Sequence, residues 1–376
     1  MGAPAEPWAD AAAEKRLAAE SRLRALLFVA QSAGLMVLSG VFWASGWSRA
    51  LAEGMASRFP DAVAAWPLLR AAYVALAVAG YECLMFPLSV WESIAEGKRP
   101  EERFGRWLLR HAGLVAVEAA LLAGGFTALY AAARALPGTW WFAATGGYAV
   151  LALGVGEWAP TILLPRLLPP REIDDPALLE AVREAGRAFG REVAGICEWD
   201  VPLNDEELPV ARLVGAGRRV KVAFPEGLPK RVPRKALVFL AARKMAWGAH
   251  VVNVRLQIVR TLFAGAVFFF AGRVVQPIAL RGGLAGGAFA LGAFPLLVMA
   301  LFGFAGIAGL FVNALARRLE LRADALATAR LGGPAALERH FRELYADRPF
   351  QLSYPWWQTL FRTVPSPVRR LAAIRR

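Results

Sequence analysis

Hydrophobic and polar positions along the chain fall into long blocks. Apolar runs with almost no charge occupy residues 25–47, 71–91, 112–133 and 140–165, and two more follow a polar interval, at about 257–280 and 284–313. About twenty apolar residues in a helix are enough to cross some 30 Å of hydrocarbon, so each run predicts a membrane span. Arg273 interrupts the fifth run. The sixth uncharged stretch, 282–316, is longer than one crossing, which predicts a re-entrant or kinked beginning. Adjacent glycines inside the runs predict close helix packing. The polar interval 166–256 has a different rhythm. Pro169-Pro170 breaks the chain, and Asp175-Pro176 then starts an amphipathic helix to about residue 191. Residues 211–214 and 219–224 alternate around glycine as a hairpin does, and Pro233 opens a helix through Leu237, Leu240, Met245 and His250. The fold class expected is mainly α, a polytopic helical bundle of about six spans with a small cytoplasmic α/β insert. Its parts are a tail at 1–24, a four-span region at 25–168 and a last region at 169–376.

Composition supports a membrane protein, with 57% hydrophobic and only 20% charged residues. A soluble enzyme, a disordered chain and a disulfide scaffold are all excluded. Two cysteines, Cys83 and Cys197, form no CxxC pair. The net charge of +14 concentrates at span ends: Lys15, Arg16, Arg22 and Arg24 before the first, then Lys98, Arg99, Arg103, Arg106 and Arg110 after the second. The loops after the first and third spans have few basic residues. The tail, the polar insert and the C-terminus are therefore expected in the cytoplasm, with the plasma membrane as location if the source is bacterial. An uncleaved first span is expected, because no signal-peptide pattern is evident. The basic clusters Arg218-Arg219-Lys221 and Lys230-Arg231-Arg234-Lys235 lack interleaved aromatics. The expected partners are thus the bilayer and anionic lipid headgroups, not nucleic acid.

Several short motifs follow one another in a telling order. They are Glu101-Glu-Arg-Phe-Gly105, Pro160-Thr-Ile-Leu-Leu-Pro165, Val214-Gly-Ala-Gly-Arg-Arg-Val-Lys-Val, Arg317-Arg-Leu-Glu-Leu-Arg-Ala-Asp-Ala325 and Thr363-Val364-Pro365. With four spans before the insert and two after it, this order resembles the integral-membrane zinc metalloproteases of the CAAX prenyl endopeptidase type and their bacterial heat-shock relatives. The resemblance implies a large chamber formed by the spans, a catalytic helix after the hairpin, and Glu320 as the third zinc ligand, with Asp324 one turn on.

The catalytic motif departs from the family. HExxH places two histidines on one helix face to hold zinc, with the glutamate activating a water. Here the aligned positions read Ala242-Arg243-Lys244-Met245-Ala246, and Val364 stands in the later histidine's place. Of the site positions, Glu320 and Asp324 are retained. No catalytic residue and no cofactor is expected. A zinc-binding alternative rests on Glu320 with His250, one turn beyond position 246, and Asp324. Two placements of Arg243 stand open: a metal-replacing ion pair with Glu320, extended to Asp324, or a solvent-facing guanidinium while Glu320 pairs with Arg317.

Glu82, Glu118 and Glu157 interrupt apolar runs, where ionisable groups usually face an interior. Chamber lining is the reading for these three, set against interfacial positions. The function expected is non-hydrolytic: a pseudoenzyme of this peptidase family that binds or regulates a membrane or lipid-modified polypeptide. One rival is an active membrane metalloendopeptidase with unusual zinc ligands. The other is a chamber-based transporter of lipids or small molecules.

Overall fold

The computed structural model describes residues 10–58, 66–95, 104–154, 164–199, 210–215, 219–249, 252–347 and 349–375. Helices α1 (Ala11–Ala44), α2 (Trp47–Ala56), α3 (Trp66–Ala95), α4 (Phe104–Ala135), α5 (Trp140–Leu153) and α6 (Leu164–Leu167) precede strand β1 (Arg171–Glu172). Then come α7 (Pro176–Ala188), β2 (Glu192–Trp199), β3 (Arg212–Val214), β4 (Arg219–Pro225), α8 (Leu228–Arg231) and α9 (Arg234–Ala249). The chain closes with α10 (Val252–Arg281), α11 (Phe294–Leu331), α12 (Pro334–Asp347), α13 (Trp356–Phe361) and α14 (Pro367–Ile374). Contacts divide it into two compact units: Glu20–Tyr148 with Thr261–Ala308, and Met1–Ala19 with Ala149–Arg260 and Gly309–Arg376.

In the first unit, long apolar helices dominate. Among the described residues, five helices are long and apolar enough to span a membrane: α1, α3, α4, α10 and α11. Their most apolar windows are at most 17% buried by protein. Leu76, Leu84, Leu109, Leu114 and Leu121 accordingly stand exposed. A surface this apolar is stable only against lipid. The chain is a multi-pass membrane protein, with a helical bundle and a small α/β region.

Within the fourth run a helix is described over Trp140–Leu153, and residues 155–163 lie outside the described ones. The sixth run begins in two 3-10 turns, Gly287–Phe289 and Leu291–Ala293, before α11 starts. Helix α10 stops where Gly283 adopts φ +77°, a conformation that β-carbon sterics deny most residues. Close packing falls on some adjacent glycines, as at Gly287, where a β-carbon would collide with the Gln276 side chain, and also on a lone one. A β-carbon on Gly272 would lie 2.7 Å from the Trp140 ring, while Gly124-Gly125 and Gly146-Gly147 have no described atom within 4 Å of that position.

The second unit holds the sheet, in the order β1-β2-β4-β3. Strands β3 and β4 form the antiparallel hairpin expected at 211–224, and β4 pairs in parallel with β2. The Asp175 carboxylate caps α7 by accepting the Leu178 N–H at 3.0 Å, and Pro176 takes the first helical turn. The helix ends at Ala188, short of 191, because the backbone turns there into β2. Its buried face, Leu178, Val182, Ala185 and Gly186, packs against the sheet and α9. Gly186 permits that approach, since a β-carbon there would come within 2.8 Å of Val193. The same core takes in Leu237, Leu240, Ala241, Ala242 and Met245 of α9 together with Ala327, Leu337 and Phe341. Packing from both sides therefore fixes α9, α11 and α12 as the frame of the candidate site.

Candidate functional site

Four charged side chains from three helices meet within the second unit. Asp324 on α11 is fully buried and accepts from Arg370 on α14 through two bonds, Nε to Oδ2 and Nη2 to Oδ1, each 2.6 Å. Arg243 on α9 donates Nε to Asp324 Oδ1 at 2.8 Å and Nη2 to Glu320 Oε2. Glu320 and Arg243 are only 17% and 11% exposed. The result is a chain Glu320–Arg243–Asp324–Arg370, in which two guanidinium charges cancel two carboxylate charges. Buried charges are tolerated when each is paired and hydrogen-bonded, and planar arginine forks suit carboxylates better than lysine does. The Arg370 guanidinium also rests 4.7 Å over the Phe341 ring.

Of the two placements left open for Arg243, the geometry has the paired one. Arg317 instead donates to the carbonyls of Thr359 and Arg362, at 2.7 and 2.6 Å, anchoring the segment before Val364. Val364 itself is half-buried in a bend between α13 and α14. Sequence reasoning missed Arg370, which looked like one of several terminal basic residues. The available signal was the amphipathic spacing of α14, which buries Pro367, Arg370 and Leu371 on one face.

The donor set for zinc is poor at this place. Ala242 and Ala246 are buried methyl groups, 0% and 1% exposed, where the family motif needs imidazoles. Both retained carboxylates already accept from guanidiniums, and a divalent cation beside Arg243 would meet a fixed positive charge. Among the described residues, no three of His, Cys, Asp and Glu cluster as a metal site would require. These residues do not fit a catalytic zinc ion. His250, the proposed substitute ligand, lies outside the described residues. His111 stacks on Trp107 in the first unit. His340 is buried beside the charged chain, its ring 4.6 Å from that of Phe239, and its Nδ1 has no hydrogen-bond partner. Burial, then the charges of Arg370 and Arg243, push its pKa down to about 3, so it stays neutral. Burial pushes the Cys197 thiol up to about 11, away from thiolate chemistry.

Glu82 is half-buried and Glu118 exposed. Neither is among the residues that line the cavity of about 890 Å³ in the first unit. Glu157 lies outside the described residues.

Comparison with known proteins agrees with the resemblance seen in the motifs. Residues 203–376 match the model of peptidase family M48. The crystal structure of Ste24p from S. mikatae matches with a TM-score of 0.77, covering 100% of this chain and 91% of the other, at 13% identity. At that identity the likeness is one of fold. No curated protein sequence matches. Residues 203–376 are thus similar to peptidase family M48, and the chain as a whole has the fold of a Ste24p-like membrane protein.

Proposed function

We propose that the chain is a membrane-embedded member of the M48 metalloprotease family that binds its polypeptide partner without cutting it. The observation that carries this reading is the neutral quartet of Glu320, Arg243, Asp324 and Arg370. A guanidinium stands where the family places its general base, and methyl groups stand where it places nitrogen ligands. Water activation needs a metal or a base, and Arg243 is neither. The partner proposed is a membrane or lipid-modified polypeptide, bound or held for another protein. The basic residues at the span ends support a cytoplasmic N-terminus, insert and C-terminus.

Metal analysis of the purified protein, paired with cleavage of a generic peptide in detergent, tests the reading. The expected result is substoichiometric zinc and no chelator-sensitive cleavage. Stoichiometric zinc that disappears in Glu320→Ala would establish the metalloendopeptidase instead.

A further inference from the structure

The first unit encloses a second concentration of charge, of the opposite character. A cavity of about 890 Å³ lies where α3 begins, α4 ends, α5 begins and α10 nears its end. Three arginines from three helices line it, Arg70, Arg134 and Arg273, and none of the described residues lining it is a carboxylate. Like charges gathered in one cavity repel. Aromatic faces supply part of the compensation: the Arg70 guanidinium sits 5.0 Å from the Tyr130 ring and 5.5 Å from Trp66, and Arg273 sits 5.2 Å from Phe269.

Two polar groups in the wall are buried and lack any hydrogen-bond partner. They are Arg70 Nε and the hydroxyl of Tyr130, a residue only 1% exposed. A buried donor without an acceptor is destabilising, and such groups usually await a ligand or a water. The rest of the wall carries the aromatic rings of Trp140, Trp141, Phe269 and Phe289, with Gln276 as a further polar residue. A cationic end with unused donors and an aromatic body together suit a molecule with an anionic head and an apolar tail. The volume is in the range of sites for such ligands. The wall is also built from helix ends rich in Trp, Tyr and Arg, which is the composition of the headgroup level of a membrane.

We propose that this cavity is a binding site for an anionic amphiphile, with Arg70, Arg273 and the Tyr130 hydroxyl holding the head group and the aromatic wall holding the chain. The source favoured is an anionic phospholipid of the surrounding bilayer. The test uses the purified full chain in zwitterionic detergent and reads quenching of tryptophan fluorescence by phosphatidylglycerol with brominated acyl chains. Brominated phosphatidylcholine and inorganic phosphate serve as the other arms. Saturable quenching by phosphatidylglycerol is expected, about tenfold weaker in the R70Q/R273Q variant because each charged bond is among the stronger hydrogen bonds. Arg134 is exposed, so Arg134→Gln will fold and is expected to weaken quenching less. Phosphatidylcholine is expected to quench without saturation, and inorganic phosphate not to compete. Equal quenching by both lipids would overturn the site. So would unchanged quenching in both arginine variants, and full competition by phosphate would make the ligand a free anion instead of an amphiphile.

Discussion

The two arginine-rich places in this molecule have opposite chemistry. In the second unit, Arg243 and Arg370 meet two carboxylates through four charge-assisted hydrogen bonds. In the first unit, Arg70, Arg134 and Arg273 face a cavity without a described acid, and donors stand idle beside it. A closed network satisfies its own charges and has no electrostatic need of a ligand, so its contribution is to hold helices together. An open one has a demand that only something outside the chain can meet. The family fold would place chemistry at the first site, yet the unmet demand is at the second.

The sharpest break of this contrast is at Asp324. Asp324→Asn leaves Arg370, which is 1% exposed, without a counter-charge, and is expected to destabilise the second unit by about 3–5 kcal/mol. Denaturant unfolding of the purified protein reads it, and a change below the ordinary surface-mutation range would make the quartet ornamental.

Acid is next. His340 is neutral in the fold, with a pKa near 3 against 6.5 for a free side chain. Between those values the unfolded state binds more protons, so stability is full above pH 6.5 and falls as pH drops toward 3. The loss is on the order of a few kcal/mol, each pKa unit being about 1.4 kcal/mol. His340→Phe removes a titrating group and should flatten this part of the stability–pH curve; an unchanged slope would assign it to other groups.

A smaller effect is expected at Arg243. Arg243→Met releases Glu320, which at 17% exposure regains some water, while Asp324 keeps Arg370. The expected cost is about 1–3 kcal/mol. A loss as large as that of Asp324→Asn would mean that the quartet cannot be dissected into a core pair and an outer pair.

Much of this was legible in the residues themselves. Apolar runs located the helices, because twenty apolar residues admit few alternatives in lipid. The excess length of the sixth stretch pointed to an irregular beginning, but not to the residue at which α11 starts after two tight turns. The hairpin around 216 was readable, whereas the central strand β2 was not: Gly195, Glu192 and Glu198 dilute its alternation, and its pairing with β4 depends on contacts distant in sequence. At the site, the spacing from position 243 to Glu320 and Asp324 followed from the family motifs. Arg370 did not, since it lies 46 residues beyond Asp324 and one place from the exposed Arg369. Only the packing of α14 separates a buried partner from a surface cation.

The central claim, that the scaffold persists while the nitrogen ligands are gone, is tested most directly by restoring them. Zinc bound per chain should be measured side by side in the natural protein and in A242H/R243E/A246H. The account predicts substoichiometric zinc in the natural protein and about one per chain in the variant, where two histidines join Glu320 in the three-ligand set of catalytic sites. Zinc at full stoichiometry in the natural protein, abolished by Glu320→Ala, would contradict it.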